Sequence, residues 1–175
     1  MKDCNAYRGQ PLLNNPYKPF PCKQINLTPG KKGGKMPEKL KTNHIDHISI
    51  AVKDLKDAEE DFRQTFGWEA DGRYSDYDEK INVAYYMIGQ TALEIMEDLD
   101  GTGKVSKFID KHGEGIMVLS INVDNTFESL ELLKRNGAGL IDRKPRFVRE
   151  LGRYFAFLHP KQCHGVLAEI IDGSY

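Results

Sequence analysis

No run of eighteen apolar residues occurs in the chain, so no segment is expected to cross a bilayer as a helix. Cysteine is scarce. Cys4, Cys22 and Cys163 are an odd number without CxxC spacing, which argues against both a disulfide framework and a cysteine zinc site and predicts reduced, unpaired thiols. Serine is missing before Ser49, and no apolar stretch follows the first charges. Neither a secretory leader nor a transit peptide is read there, and the expectation is a cytoplasmic protein. An excess of either charge is lacking too: 25 Lys and Arg against 26 Asp and Glu leave a net −1. No basic face suited to nucleic acid emerges in the part expected to fold. What is there is 175 residues, 39% hydrophobic, enough for one core of ordinary domain size.

The balanced total hides an uneven distribution. Residues 1–43 carry nine Lys/Arg against two Asp/Glu (+7), and the remainder carries sixteen against twenty-four (−8). With "NNPYKPFPC" and "LTPGKKGGKMP", residues 1–42 read as an extended arm rather than a folding unit. It is expected either to lie solvated on the acidic body or to embrace an anionic ligand or a partner subunit.

From Asn43 the pattern becomes regular, and it is written twice. Ile45–Val52 alternates as a strand, with Ile48, Ile50 and Val52 on one face and His47, Ser49 and Ala51 on the other. Asp54 caps a helix running to about Phe66, whose apolar stripe is Leu55, Ala58 and Phe62, and Gly67 stops it. Strands follow around 68–74, 81–88 and 91–96, with a tight turn at Gly89 and Gln90. The second pass repeats the order: a strand over 116–123, a helix over 126–136 with Phe127, Leu130 and Leu133 inward, then strands near Leu140, at 154–158 and at 165–171. A period of about seventy residues is too long for a solenoid and indicates a duplicated half-domain. The expected fold is α+β: two βαβββ modules, 43–100 and 115–175, joined by a linking helix over 101–114. Together they form an eight-stranded, incompletely closed barrel around a cavity.

The duplication serves as a ruler. "IDHISIAV" at 45–52 faces "IMVLSINV" at 116–123, and His47 faces Val118. Glu94 in "ALEIM" and Glu169 in "LAEII" stand at corresponding points, 47 residues after His47 and 51 after Val118. One carboxylate in an apolar strand is most simply an edge residue facing water, because burying an unpaired charge is costly. Two at equivalent positions, with a His on the first strand, suit a divalent cation such as Co, Mn, Zn, Fe or Ni, which would offset the burial.

"HIDHISIAVKDL", "TFGW", "LEIMEDL", "KFIDKHGEG" and "FLHPKQCHGVLAEI" together resemble the vicinal oxygen chelate superfamily, and within it the methylmalonyl-CoA epimerases. The likeness covers Asn43 to Asp172. In that family a metal is held by a His on the first strand, a Gln or Glu on the fourth, a His on the fifth and a Glu on the eighth. Carried across, the resemblance implies His47, Glu94 and Glu169 as metal ligands, with Val118 at the place of the missing His. His44, His112, His159 and His164 offer no convincing substitute. The family reaction interconverts C2 epimers of an acyl-CoA by moving the α proton, and the resemblance implies Glu169 as the base. A Glu on the third strand that serves some members corresponds to Val83. "KPRFVRELGRY" replaces a glycine-rich substrate loop, so Arg146, Arg149, Arg153 and also Lys161 become candidates for anion contact with a CoA thioester, a solvated charged loop being the equal alternative. The resemblance further implies a homodimer acting on a small molecule, with neither nucleic acid nor membrane as partner. A ligand-holding protein without chemistry, and a scaffold whose basic arm makes the contacts, stay open beside the enzyme.

Overall fold

The computed structural model describes residues 36–175, so most of the expected basic arm lies outside the described residues. The last part of that segment is not free of the body. Glu38 and Asn136 exchange hydrogen bonds of 3.1 and 2.7 Å, Leu40 packs beside Val123 and Leu130, and Asn43 donates to Asn122 and Asp124.

The first module is β1 (Ile45–Ala51), α1 (Leu55–Phe66), β2 (Gly72–Asp76), β3 (Ile81–Ile88) and β4 (Thr91–Asp98); α2 (Lys104–His112) links it to the second. The second is β5 (Gly115–Asn122), α3 (Thr126–Arg135), β6 (Arg146–Val148), β7 (Arg153–Phe157) and β8 (Leu167–Ile171). The strands form one sheet in the order β2-β3-β4-β1-β5-β8-β7-β6, with β1 parallel to β4, β5 parallel to β8, and β1 antiparallel to β5 at the junction. Each module therefore places its first strand at the centre and its last beside it. The result is a mixed sheet curled into a nearly closed barrel whose unsealed seam lies between β2 and β6.

Capping starts both outer helices where the sequence indicates. Asp54 accepts from the Asp57 amide at 3.0 Å and Asn125 from the Glu128 amide at 3.1 Å. α1 ends at Gly67, whose φ of 70° lies in the left-handed region that a Cβ disfavours. The outer faces of the sheet bury these helices. Leu55, Ala58 and Phe62 pack on Ala84, Tyr86 and Ile95, while Leu130 and Leu133 pack on Val123, Ala156 and Ile170. α2 closes the barrel interior instead, setting Val105 and Ile109 against Ala51, Val83, Met96 and Val118.

Several sequence expectations shift. The second strand begins at Gly72 rather than Trp68, because the extended chain before it pairs through little more than Asp71. The strand expected near Leu140 is a single bridge to Leu158, and the regular strand lies later, at Arg146–Val148. "KPRFVRELGRY" is thus no open loop: it supplies β6 and the start of β7. Phe127, expected inward, is 49% exposed and leans edge-on against Tyr154. Leu130 and Leu133 already fill the space under the helix.

One irregularity matters for the site. β1 shifts register against β5 between Ile45 and His47, so Asp46 is an extra residue and the strand bulges there. Strict alternation would send Asp46 and His47 to opposite faces. The bulge lets both be buried, at 1% and 6% exposure, with their side chains hydrogen-bonded to each other.

Candidate functional site

The barrel encloses a cavity of about 90 Å³ between the two modules. Its wall is mostly apolar, with Met96, Val105, Met117, Val118, Phe155 and Phe157 among the residues facing it. One end is polar and contains His47, Ser49, Tyr74, Glu94 and Glu169. His47 comes from β1, Glu94 from β4 and Glu169 from β8, the strands flanking the module junction.

Strand register explains why these side chains meet. Ser49 pairs across the ladder with Glu94 and Ser120 with Glu169, while Val118 lies opposite Ser49. All point inward, because residues two apart on a strand share a face. Ser49 donates to Glu94 Oε2 at 2.7 Å, and Ser120 donates to Glu169 Oε2 at 2.5 Å. The repeat therefore carries a serine–carboxylate pair in each module. "ISIAV" and "LSINV" display both serines at the same place in the repeat, so the pairing has a direct sequence signal.

The modules differ beyond those pairs. Tyr74 donates to Glu94 Oε1 at 2.9 Å, and the hydroxyl of Tyr175 donates to the same oxygen. Glu94 thus takes three hydroxyl donors across its two oxygens. Glu169 takes both of its partners, Ser120 and His47, on Oε2. Burial, followed by the charge of Glu94 and the bond to it, pushes the Tyr74 phenol well above its ordinary range, so it remains a donor.

His47 stands between carboxylates. Its Nδ1 faces Asp46 Oδ1 at 3.0 Å, and its Nε2 lies 3.1 Å from Glu169 Oε2 and 3.7 Å from Glu94 Oε2. Burial would lower its pKa, but the charges of Glu94 and Glu169 and the bonds to Asp46 and Glu169 raise it well above the usual value. Asp46 behaves oppositely: burial alone would raise it, whereas donors from His47, Arg153 and Asn122 bring it down to about 2.

The structure thus brings together three of the residues singled out in the sequence, His47, Glu94 and Glu169, and leaves Arg146 and Lys161 apart from them. Arg146 binds Glu79 and, at 2.9 Å, Asp142, and its guanidinium lies about 5 Å above the rings of Phe155 and Phe157. Lys161 is exposed on a short 3-10 turn, Pro160–Cys163. Arg153, expected in a charged loop, is instead 2% exposed and ion-paired with Asp46. His159 and His164 flank the same turn, with the His159 Nδ1 accepting from the Lys161 amide at 3.2 Å, and His112 lies at the exposed end of α2.

Comparison with known proteins gives a consistent family. Residues 46–157 match the model of the glyoxalase/bleomycin resistance protein/dioxygenase superfamily. The uncharacterised protein YqjC of Bacillus subtilis is 32% identical over 130 residues, 74% of this chain and 92% of that protein. An ethylmalonyl-CoA/methylmalonyl-CoA epimerase of Cereibacter sphaeroides is 27% identical over 127 residues, 72% of this chain and 95% of the enzyme. Among solved structures, a methylmalonyl-CoA epimerase in complex with methylmalonyl-CoA and NH4+ superposes with a TM-score of 0.71 at 27% identity, covering 76% of this chain and 96% of the epimerase.

Proposed function

Because the chain belongs to the glyoxalase/bleomycin resistance protein/dioxygenase superfamily, we propose that it acts on a small acyl-CoA thioester, moving the proton at the carbon next to the thioester carbonyl and so inverting that centre. The observation that carries this reading is the meeting of His47, Glu94 and Glu169 in a mostly apolar cavity whose lining also includes Asp76, Glu79 and Lys104. An epimerase with methylmalonyl-CoA bound shares the same fold.

The resemblance implies a divalent cation, and the donor chemistry suits one. Among the described residues no three His, Cys, Asp or Glu side chains form a closed metal cluster as they stand. Yet the imidazole nitrogen and two carboxylate oxygens are separated by 3.1 and 3.7 Å, a span two donors can have when they share a small cation at about 2.0–2.2 Å. The surroundings fit as well, since Asp46 holds the other imidazole nitrogen and Ser49 and Ser120 hold the carboxylates. His47, Glu94 and Glu169 would hold the ion, with Val118 supplying no fourth donor. When bound, it would supply positive charge beside the thioester carbonyl and make the neighbouring C–H more acidic.

The chain's own groups do the rest. Ser120 fixes one oxygen of Glu169, which leaves its other oxygen to take the proton at carbon, and inversion is completed when a second donor returns a proton to the opposite face of the planar enolate. Glu94, which takes two donors on Oε1 and Ser49 on Oε2, keeps one acceptor site on Oε2 for the ion and is held in place rather than poised to take a proton. The apolar wall excludes water from the acyl group. The cavity admits only a short one, and the nucleotide end of a CoA ester would lie outside.

The test is α-proton exchange of methylmalonyl-CoA in heavy water, with metal content measured on protein purified without chelator. Exchange at the wild-type rate that is lost on chelation supports the reading. No metal and no exchange would reject it in favour of a protein that only holds a ligand.

A further inference from the structure

Inversion needs a proton carrier on each face of the reacting carbon, and Glu169 can serve only one of them. We infer that Asp76 is the second catalytic acid and base, delivering a proton to the face turned away from Glu169. The inference rests on the proposed reaction and names the group that completes it.

The strand order puts Asp76 on the right wall. β8 lies five strands from β2 along the sheet and three across the seam, so the two oppose each other around the curled sheet. Asp76 follows Tyr74 by two residues on β2, which gives both the same inward face, and both line the cavity. Val83, the cross-strand partner of Tyr74, has no proton to give.

Elimination then selects the residue. Besides the groups proposed to hold the ion, the cavity wall carries four ionisable side chains among the described residues: Tyr74, Asp76, Glu79 and Lys104. Glu79 is held through both oxygens, by Arg146 on one and by Lys104 at 2.6 Å on the other. Lys104 is committed to that pair, and its side chain is 62% exposed. Tyr74 gives its hydroxyl proton to Glu94 at 2.9 Å. Asp76 differs from all three. It is 6% exposed, its Oδ1 accepts from the amides of Asp78 and Glu79, each at 2.9 Å, and its Oδ2 has no hydrogen-bond partner among the described residues. One oxygen is thus anchored while the other can bind or release a proton. Burial lifts its pKa against the two amide bonds, and the charges of Glu79 and Glu150 add to the rise, so it holds a proton more readily than an ordinary aspartate.

Asp76 also lines a second groove, shared with Arg146 and with the exposed Asp78, Phe147 and Arg149. It therefore touches both the cavity and the surface, and its proton can equilibrate with water between turnovers. In one direction Glu169 takes the proton from carbon, the electron pair of the C–H bond stays on the enolate, and the Asp76 carboxyl gives its proton to the opposite face and ends ionised. In the other direction the two groups exchange roles, and no further reactant is required.

Anchoring the turn between β2 and β3 needs only Oδ1, which makes the two roles separable. Asparagine keeps that acceptor and cannot carry the proton. The experiment follows each C2 epimer of methylmalonyl-CoA separately in heavy water, using the full chain purified without chelator. Deuterium uptake is read by mass spectrometry, inversion by circular dichroism, and folding by thermal melts. Asp76→Asn should lower inversion by about 10²–10⁴-fold in both directions. The epimer whose α proton faces Glu169 should still exchange it at close to the wild-type rate, and the other epimer should not. Asp76→Ser, which also leaves the turn an oxygen, should show the same split. Undiminished inversion in either folded variant overturns the inference, and so does an equal loss of exchange from both epimers, the result a purely structural side chain would give. Wild-type protein that neither exchanges nor inverts refutes the proposed reaction and this role with it, whereas wild-type turnover beside an unaltered variant refutes the role of Asp76 alone.

Discussion

At the scale of single residues the site is uneven. Glu94 and Glu169 occupy equivalent places, but the first is hydrogen-bonded through both oxygens and the second through one. Glu169→Gln should therefore lower α-proton exchange by about 10²–10⁴-fold, while Tyr74→Phe, which removes only a donor to Glu94, should cost much less. Isotope exchange followed by mass spectrometry separates the two. Val118→His tests the missing donor: Zn2+ affinity by chelator competition should rise about tenfold or more. The metal-free variant should melt lower, because an imidazole would replace a 5%-exposed valine packed on Ala51, Val83 and Met96, and added metal should restore the loss. Much of this residue-level picture was legible in the repeat, which aligned His47 with Val118 and Glu94 with Glu169. Tyr74, Tyr175, Arg153 and Asp46 were not legible, because their meeting depends on contacts between distant segments and on a bulge that no alternation pattern reveals.

At the scale of elements, strand and helix order followed directly from periodicity and caps. β1, α1, β3, β4, β5 and α3 carry strong alternation or clear helix boundaries, so local sequence determines them. β6 is only three residues long and pairs with β7 through all three. Too short for a periodic signal, it read as a charged loop. The outer helices contribute through few side chains, which makes a sharp prediction possible. Leu130 is 2% exposed beneath α3 against Val123, Ala156 and Ile170. Leu130→Ala should destabilise the fold by about 2–5 kcal/mol in a denaturant titration, with ligand affinity of the remaining folded protein unchanged.

At the scale of the whole molecule, pH acts through the buried chain of charges. Asp46 has a folded pKa of about 2, below its ordinary 3.8. The stability it contributes is therefore present above the unfolded value and is lost as pH falls from about 4 to about 2. Thermal melts across that window should show the loss, and Asp46→Asn should flatten it. The curved sheet leaves β2 and β6 as its two edges. Arg146 reaches from β6 to Glu79, in the turn after β2, and Lys104 binds the same carboxylate at 2.6 Å. A residue expected to hold substrate thus clasps the seam. With the clasp removed, the unpaired backbone of the two edges should be more open to strand addition between molecules, so Arg146→Ala should self-associate more readily in light scattering than the wild type.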